Sequence, residues 1–158
     1  MSKFNLPDPE DDYDRAILGD IERVGWSVIQ VNPDNADSTE PLVSFSVGLL
    51  QTFDHPEIIM LGLSHESAGA IINEIGFVVE NGERIKTDRV YEEFAGVPVA
   101  FVKVDKAHFK NYVGYAVWLY DGTDFPLLQC VWPLASGHFP WDKGYDPAAA
   151  SVQPLLGK

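Results

Sequence analysis

Leu42-Val43-Ser44-Phe45-Ser46-Val47-Gly48-Leu49-Leu50, followed within a few residues by Ile58-Ile59-Met60-Leu61-Gly62-Leu63, is the stretch that decides the fold. Val43, Phe45, Val47 and Leu49 alternate with Ser44, Ser46 and Gly48. That period of two predicts a strand over 42–50 with one large-residue face and one small-residue face. Small side chains let a helix or a ligand approach closely. Ile58 to Leu63 is apolar on both faces, which predicts a central strand buried on both sides. Thr52 to Pro56, with Asp54 and His55, reads as the turn between the two strands.

Upstream, Tyr13, Ile17, Ile21 and Val24 recur at helical spacing from Asp11 onward. Asp11, Asp12 and Asp14 fall in the first turn, where the helix dipole favours negative charge, and Gly25 suits the end. Trp26 to Val31 is rich in strand formers. Asn32 to Pro41, with Pro33, Asp34, Asn35 and Asp37, reads as a polar loop. Residues 1–10 offer no apolar face and read as a flexible acidic tail ahead of a single domain over 11–158.

Downstream, Ser64 is a good N-cap, and Ala68, Ile71, Ile72, Ile75, Val78 and Val79 trace one helical stripe. A rival reading stops the helix at Gly76 and makes Asn81-Gly82 a hairpin turn. The stripe passes through Gly76 unbroken, so a helix closed by Gly82 is preferred. Residues 83–96 read as charged and irregular, with strand-like pieces at most. Val97 to Val104 is a strand that begins at, or lies near, an edge because of Pro98. Asp105 caps a helix expected over 106–121, closed by Gly122. Phe125 to Trp132 is the last strand, and the aromatic, Pro-containing tail beyond it is expected to pack back on the domain. The expected class is α+β: one mixed or mostly antiparallel sheet of about five strands with about three helices packed on it.

The 158 residues hold 24 acids and 11 bases, a formal charge of -13. Clustered Lys and Arg, which nucleic acid and anionic membranes require, are missing. Ten of the acids and three of the bases lie in residues 1–40, so the charge forms an acidic edge. No run of about 18 apolar residues would span a bilayer, and the N-terminus does not read as a signal peptide. The lone Cys130 allows no internal disulfide and no Cys-based zinc site, so the cytoplasm is the expected compartment. Cys130 sits in a strand without charged neighbours and reads as a buried, inert thiol.

Phosphate-cradling glycine loops, a His-Glu-x-x-His helix, a Gly-x-Ser-x-Gly elbow and a calcium loop are not found in the sequence. Two segments carry candidate chemistry. In Asp54-His55-Pro56-Glu57, a histidine beside a carboxylate could move protons near neutral pH. The plainer alternative is turn chemistry. The second segment is Gln129 to Trp132-Pro133 with Gly137-His138-Phe139-Pro140-Trp141-Asp142. Its aromatics could line a groove, or Trp132, Phe139 and Trp141 could pin the tail as core. His65 and His108 read as surface residues. The ligand-binding candidates are therefore Asp54, His55, Trp132, His138, Trp141 and Asp142. A metal held by His55, His138 and nearby acids has no spacing signal behind it, and neither a metal nor a cofactor is expected.

The pieces Phe45-Ser46-Val47-Gly48-Leu49, His55-Pro56-Glu57, Gly62-Leu63, Gln129, Val131-Trp132-Pro133, Gly137 to Asp142 and Gln153-Pro154-Leu155-Leu156 together resemble the bacterial domain-of-unknown-function family 4262. The resemblance covers about residues 25–156. The family pattern often has Asp after Trp-Pro, where this chain has Leu134, whereas Asp142 matches the acid after Phe-Pro-Trp. The resemblance implies a bacterial or phage-related cytoplasmic protein and supplies no reaction. Two functions are expected. One is a non-enzymatic protein-binding module, immunity- or antitoxin-like, whose acidic surface meets a basic protein partner. The alternative is a small-ligand, flavin or nucleotide domain or enzyme, its pocket formed by the 44–48 strand, the 54–57 turn and the 138–142 loop.

Overall fold

The computed structural model describes residues 5–32 and 40–157. The sequence-expected loop at Pro33, Asp34, Asn35 and Asp37 lies outside the described residues. The first helix, α1 (Asp12–Arg23), is capped by Asp11, whose carboxylate accepts from the Asp14 N–H, and it buries Ile17 and Ile21. Strands β1 (Ser27–Val31) and β2 (Val43–Val47) follow, then a short helix α2 (Leu49–Phe53), then β3 (Glu57–Leu61). The expected strand over 42–50 is therefore cut at Val47. Gly48 takes φ 106°, which ends the extended run, and residues 49–53 coil into α2 where the sequence suggested strand and turn.

Helix α3 (His65–Glu80) is capped by Ser64 and runs through Gly76 as its stripe predicts. Residues 83–96, expected to be irregular, contain a sixth strand. Strand β4 (Val90–Phe94) pairs with β5 (Val97–Lys103) across Ala95-Gly96, both at positive φ. Such a turn suits a two-residue hairpin, but alanine at its first position gives no turn signal. Pro98 sits at the start of β5, which is an interior strand. The expected helix over 106–121 is broken. A 3-10 turn over Lys106–His108, α4 (Phe109–Tyr112) and α5 (Gly114–Leu119) replace it, with the break at Val113 (ψ 44°). Strand β6 (Leu127–Val131) completes the sheet.

The sheet order is β1-β2-β3-β6-β5-β4. Each outer trio is antiparallel, and among the described residues only the central β3–β6 pair is parallel, with Glu57 opposite Leu127. The fold is α+β with a six-strand mixed sheet and five helices among the described residues. Both faces of the central strands are covered, which explains why β3 and β6 are buried throughout. On one side α1, α4, α5 and Leu156 pack on Phe45, Ile59 and Leu127. On the other, α3 packs on Ile58, Met60, Phe101, Leu128 and Cys130. Ser44 pairs in register with Met60 and so faces α3, not a ligand. This resolves the small face of β2: it makes room for a helix. No helix among the described residues is long and apolar enough to cross a membrane.

Candidate functional site

The 54–57 turn folds inward. Asp54 is exposed and closes α2 with φ 54°, but His55 and Glu57 are fully buried. His55 Nδ1 lies 2.9 Å from the Pro56 carbonyl, and Nε2 accepts from the Ile85 N–H at 3.0 Å. These partners select the neutral tautomer with its proton on Nδ1. Burial holds its pKa below the ordinary histidine value.

Glu57 is the centre that sequence reading missed. Its Oε1 accepts from Ser46 Oγ at 2.7 Å and the Leu49 N–H at 3.3 Å. Its Oε2 accepts from the Gly48 N–H at 3.0 Å, the Leu50 N–H at 3.1 Å and the Tyr120 hydroxyl. Ser46 Oγ in turn accepts from the Ile58 N–H at 2.9 Å. The carboxylate thus satisfies the open N-terminus of α2 from inside the protein. Burial raises the Glu57 pKa, and the surrounding donors oppose that rise. An acid at the head of an otherwise apolar strand was the available signal, since a buried carboxylate requires donors. Tyr120, far away in sequence, gave none.

A second network ties the C-terminal tail to the sheet. Gln153 bonds both the N–H and the carbonyl of Trp132. Gln129 donates to the Pro154 carbonyl and accepts from the Leu156 N–H. The Trp132 indole donates to the Leu61 carbonyl at 2.8 Å. Trp132 is therefore an anchor, half-buried beside Val152 and Gly62. Cys130 is fully buried with its pKa pushed far above the usual thiol range.

The 138–142 loop forms a separate surface. His138 Nδ1 lies 2.8 Å from Ser136 Oγ, and its ring packs on Gly144. Asp142 accepts from the Phe139 N–H at 2.8 Å, fixing the turn. Phe139 is buried on Ala100 and Val131, and Trp141 stacks on Phe139 but stays 50% exposed. Trp141 lines a groove of about 490 Å³ with residues of β4 and β5, and Asp142 borders another of about 440 Å³. The pocket expected from 44–48, 54–57 and 138–142 is thus not assembled. Its first wall lies under α3, its histidine is sealed against Ile85, and its third wall faces β5. His65, expected at the surface, is half-buried with Nε2 withdrawn from solvent. Among the described residues, no group of three or more His, Cys, Asp or Glu is placed to hold a metal ion.

Several of the segments that carry the family resemblance meet in these two fastenings: Ser46, Gly48 and Glu57 in one, Gln129, Trp132 and Gln153 in the other. A family model described as a domain of unknown function (DUF4262) matches residues 20–146. The chain belongs to the DUF4262 family. The match runs from the last turn of α1 to the loop after Trp141, so it takes in the whole sheet of this DUF4262 member. No curated protein and no solved structure is significantly similar to it.

Proposed function

We propose that this DUF4262 protein is a bacterial cytoplasmic, non-enzymatic module that binds a basic protein partner through its acidic edge. The supporting observation is the N-terminal end of α1. Asp8, Glu10, Asp11 and Asp12 are exposed there around Tyr13, itself 51% exposed. Tyr13 packs edge-on to Tyr115, which packs on Trp118 and donates to buried Asp14 at 2.7 Å. Burial and the neighbouring carboxylates hold both tyrosine pKa values above the ordinary range. Carboxylates beside an exposed aromatic ring suit Lys and Arg side chains, which pair with the carboxylates and gain from the ring face. The sealed states of His55, Glu57 and Cys130 fit the same reading, because these groups serve the fold.

The test is native mass spectrometry of the tagged protein isolated from its host, with D8N/E10Q/D12N in parallel. Asp11 and Asp14 are spared because they cap and anchor α1. A basic protein should remain bound, detach as salt rises and be lost from the triple variant. Retention of the same partner by the triple variant, or a partner without net positive charge, refutes the proposal.

A further inference from the structure

Trp141 stands on a platform that is already built. Its ring is parallel to that of Phe139, with an interplanar angle of 1° and centroids 5.2 Å apart. Phe139 is held from below by Ala100 and Val131 and from the side by the Asp142 turn. The groove beside Trp141 has Val90, Ala100 and Val102 as an aliphatic floor, with Thr87, Asp88, Arg89 and Phe101 completing its lining. Helices α1, α4 and α5 pack farther across this face, on β2, β3 and Leu127 of β6. The groove's volume, about 490 Å³, lies within the ~300–1,000 Å³ usual for small-molecule sites. Because the aromatic step is fixed by the loop beneath it, a ligand need not order it.

The polar groups narrow the chemistry. Arg89 Nε and Asp88 Oδ1 are 3.6 Å apart on largely exposed side chains. Such a pair is weak and screened, so both partners can turn to a third group. They place guanidinium donors and a carboxylate acceptor near one aromatic face. A ring edge carrying both acceptors and donors answers both. An aliphatic ligand would answer neither, and a strongly anionic one would meet Asp88 and a chain of net charge -13.

We propose that this groove binds a neutral planar heteroaromatic molecule of the nucleobase or flavin-ring class, with its face on Trp141 and its edge on Asp88 and Arg89. The site is distinct from the acidic end of α1 and goes beyond the partner-binding reading.

The probes are adenosine, guanosine and riboflavin, with AMP as the charged control. The readouts are backbone amide NMR shifts and quenching of indole fluorescence. At least one neutral probe should shift residues 87–90 and 100–102 saturably. Trp141→Ala should weaken that binding about tenfold or more, the loss expected for a stacking aromatic. Circular dichroism checks that the variant keeps its fold, and Arg89→Ala should weaken binding with Trp141 intact. AMP should bind less well than adenosine. The inference is overturned if no neutral probe saturates at millimolar concentration, or if Trp141→Ala binds equally well. It is also overturned if the shifts map elsewhere, if AMP binds more tightly, or if only a partner protein fills the groove. D8N/E10Q/D12N should bind the probe as the parent does, so this inference and the partner-binding reading fail separately.

Discussion

Glu57→Gln tests whether the buried carboxylate holds the N-terminus of α2 as an anion. The amide is isosteric but replaces one acceptor oxygen with a donor. Placed at Oε1, the new NH2 faces Ser46, whose hydroxyl can rotate, and the Leu49 N–H, which cannot. Placed at Oε2, it faces the N–H groups of both Gly48 and Leu50, so the first orientation wins. One buried N–H then loses its acceptor, costing about 1–3 kcal/mol, and the remaining bonds lose their charge assistance. Removing the charge also removes its burial cost, the source of the raised pKa, so the net loss is about 1–2 kcal/mol. For a chain of this size, that lowers Tm by about 2–8 °C. Tyr120→Phe, which removes one donor of several, should cost about 1–2 kcal/mol. Thermal melts at pH 7, followed by circular dichroism, measure both. A Glu57→Gln variant within about 0.5 kcal/mol of the parent would sink the reasoning, since a neutral side chain would then serve as well. The pH dependence has a definite sign. Burial raises the folded pKa of Glu57, so the native state holds its proton to higher pH than the unfolded chain. This group's contribution is fullest below its ordinary pKa of about 4.3 and declines as pH rises through the folded value. Glu57→Gln should remove that decline.

His55 carries the opposite sign. Its folded pKa lies below the ordinary value of about 6.5, so its contribution is complete above that pH and is lost as pH falls through the folded value. Protonated Nε2 would point a proton at the Ile85 N–H. The urea midpoint should therefore drop from pH 7 to pH 5 more in the parent than in His55→Asn, and equal slopes would refute the assignment. Gly76→Ala places a methyl group inside the Trp26 indole, which is buried and bonded to Asn73 at 3.0 Å. Overpacking of about 1–3 kcal/mol should outweigh the helix-propensity gain of about 1 kcal/mol. A variant more stable than the parent in urea titration would contradict this packing.

Much of this architecture was legible because it is written locally. The period-two run at Val43 to Val47, the stripe from Ala68 to Val79 and the caps at Asp11, Ser64 and Asp105 each determine their element from neighbouring residues. Features set by distant partners were not legible. Strand β4 is polar at Glu92 and Glu93 and is held as a strand by β5, not by its own pattern. Helix α2 exists because Glu57 accepts its first N–H groups, and a five-residue segment has too little periodicity to announce itself. The site reading diverged for the same reason. His55 and Trp132 carry residue types suited to a ligand, yet their partners, Ile85 and Gln153, are brought to them by the fold. Trp141 was legible as an aromatic worth attention, but its neighbours on β4 and β5 were not.

The parallel pairing of β3 with β6 also governs the order of assembly. Strand β3 lies mid-sheet in the finished protein, yet on a growing chain it is a border. It ends at Leu61, and β6 starts only at Leu127. During synthesis the first three strands can close on themselves while one side of β3, apolar on both faces, stays unpaired. Late arrival of β6 makes this a high-separation contact that slows folding and exposes a sticky seam until the second trio docks. Any nascent-chain chaperone serving this protein would be needed in that interval.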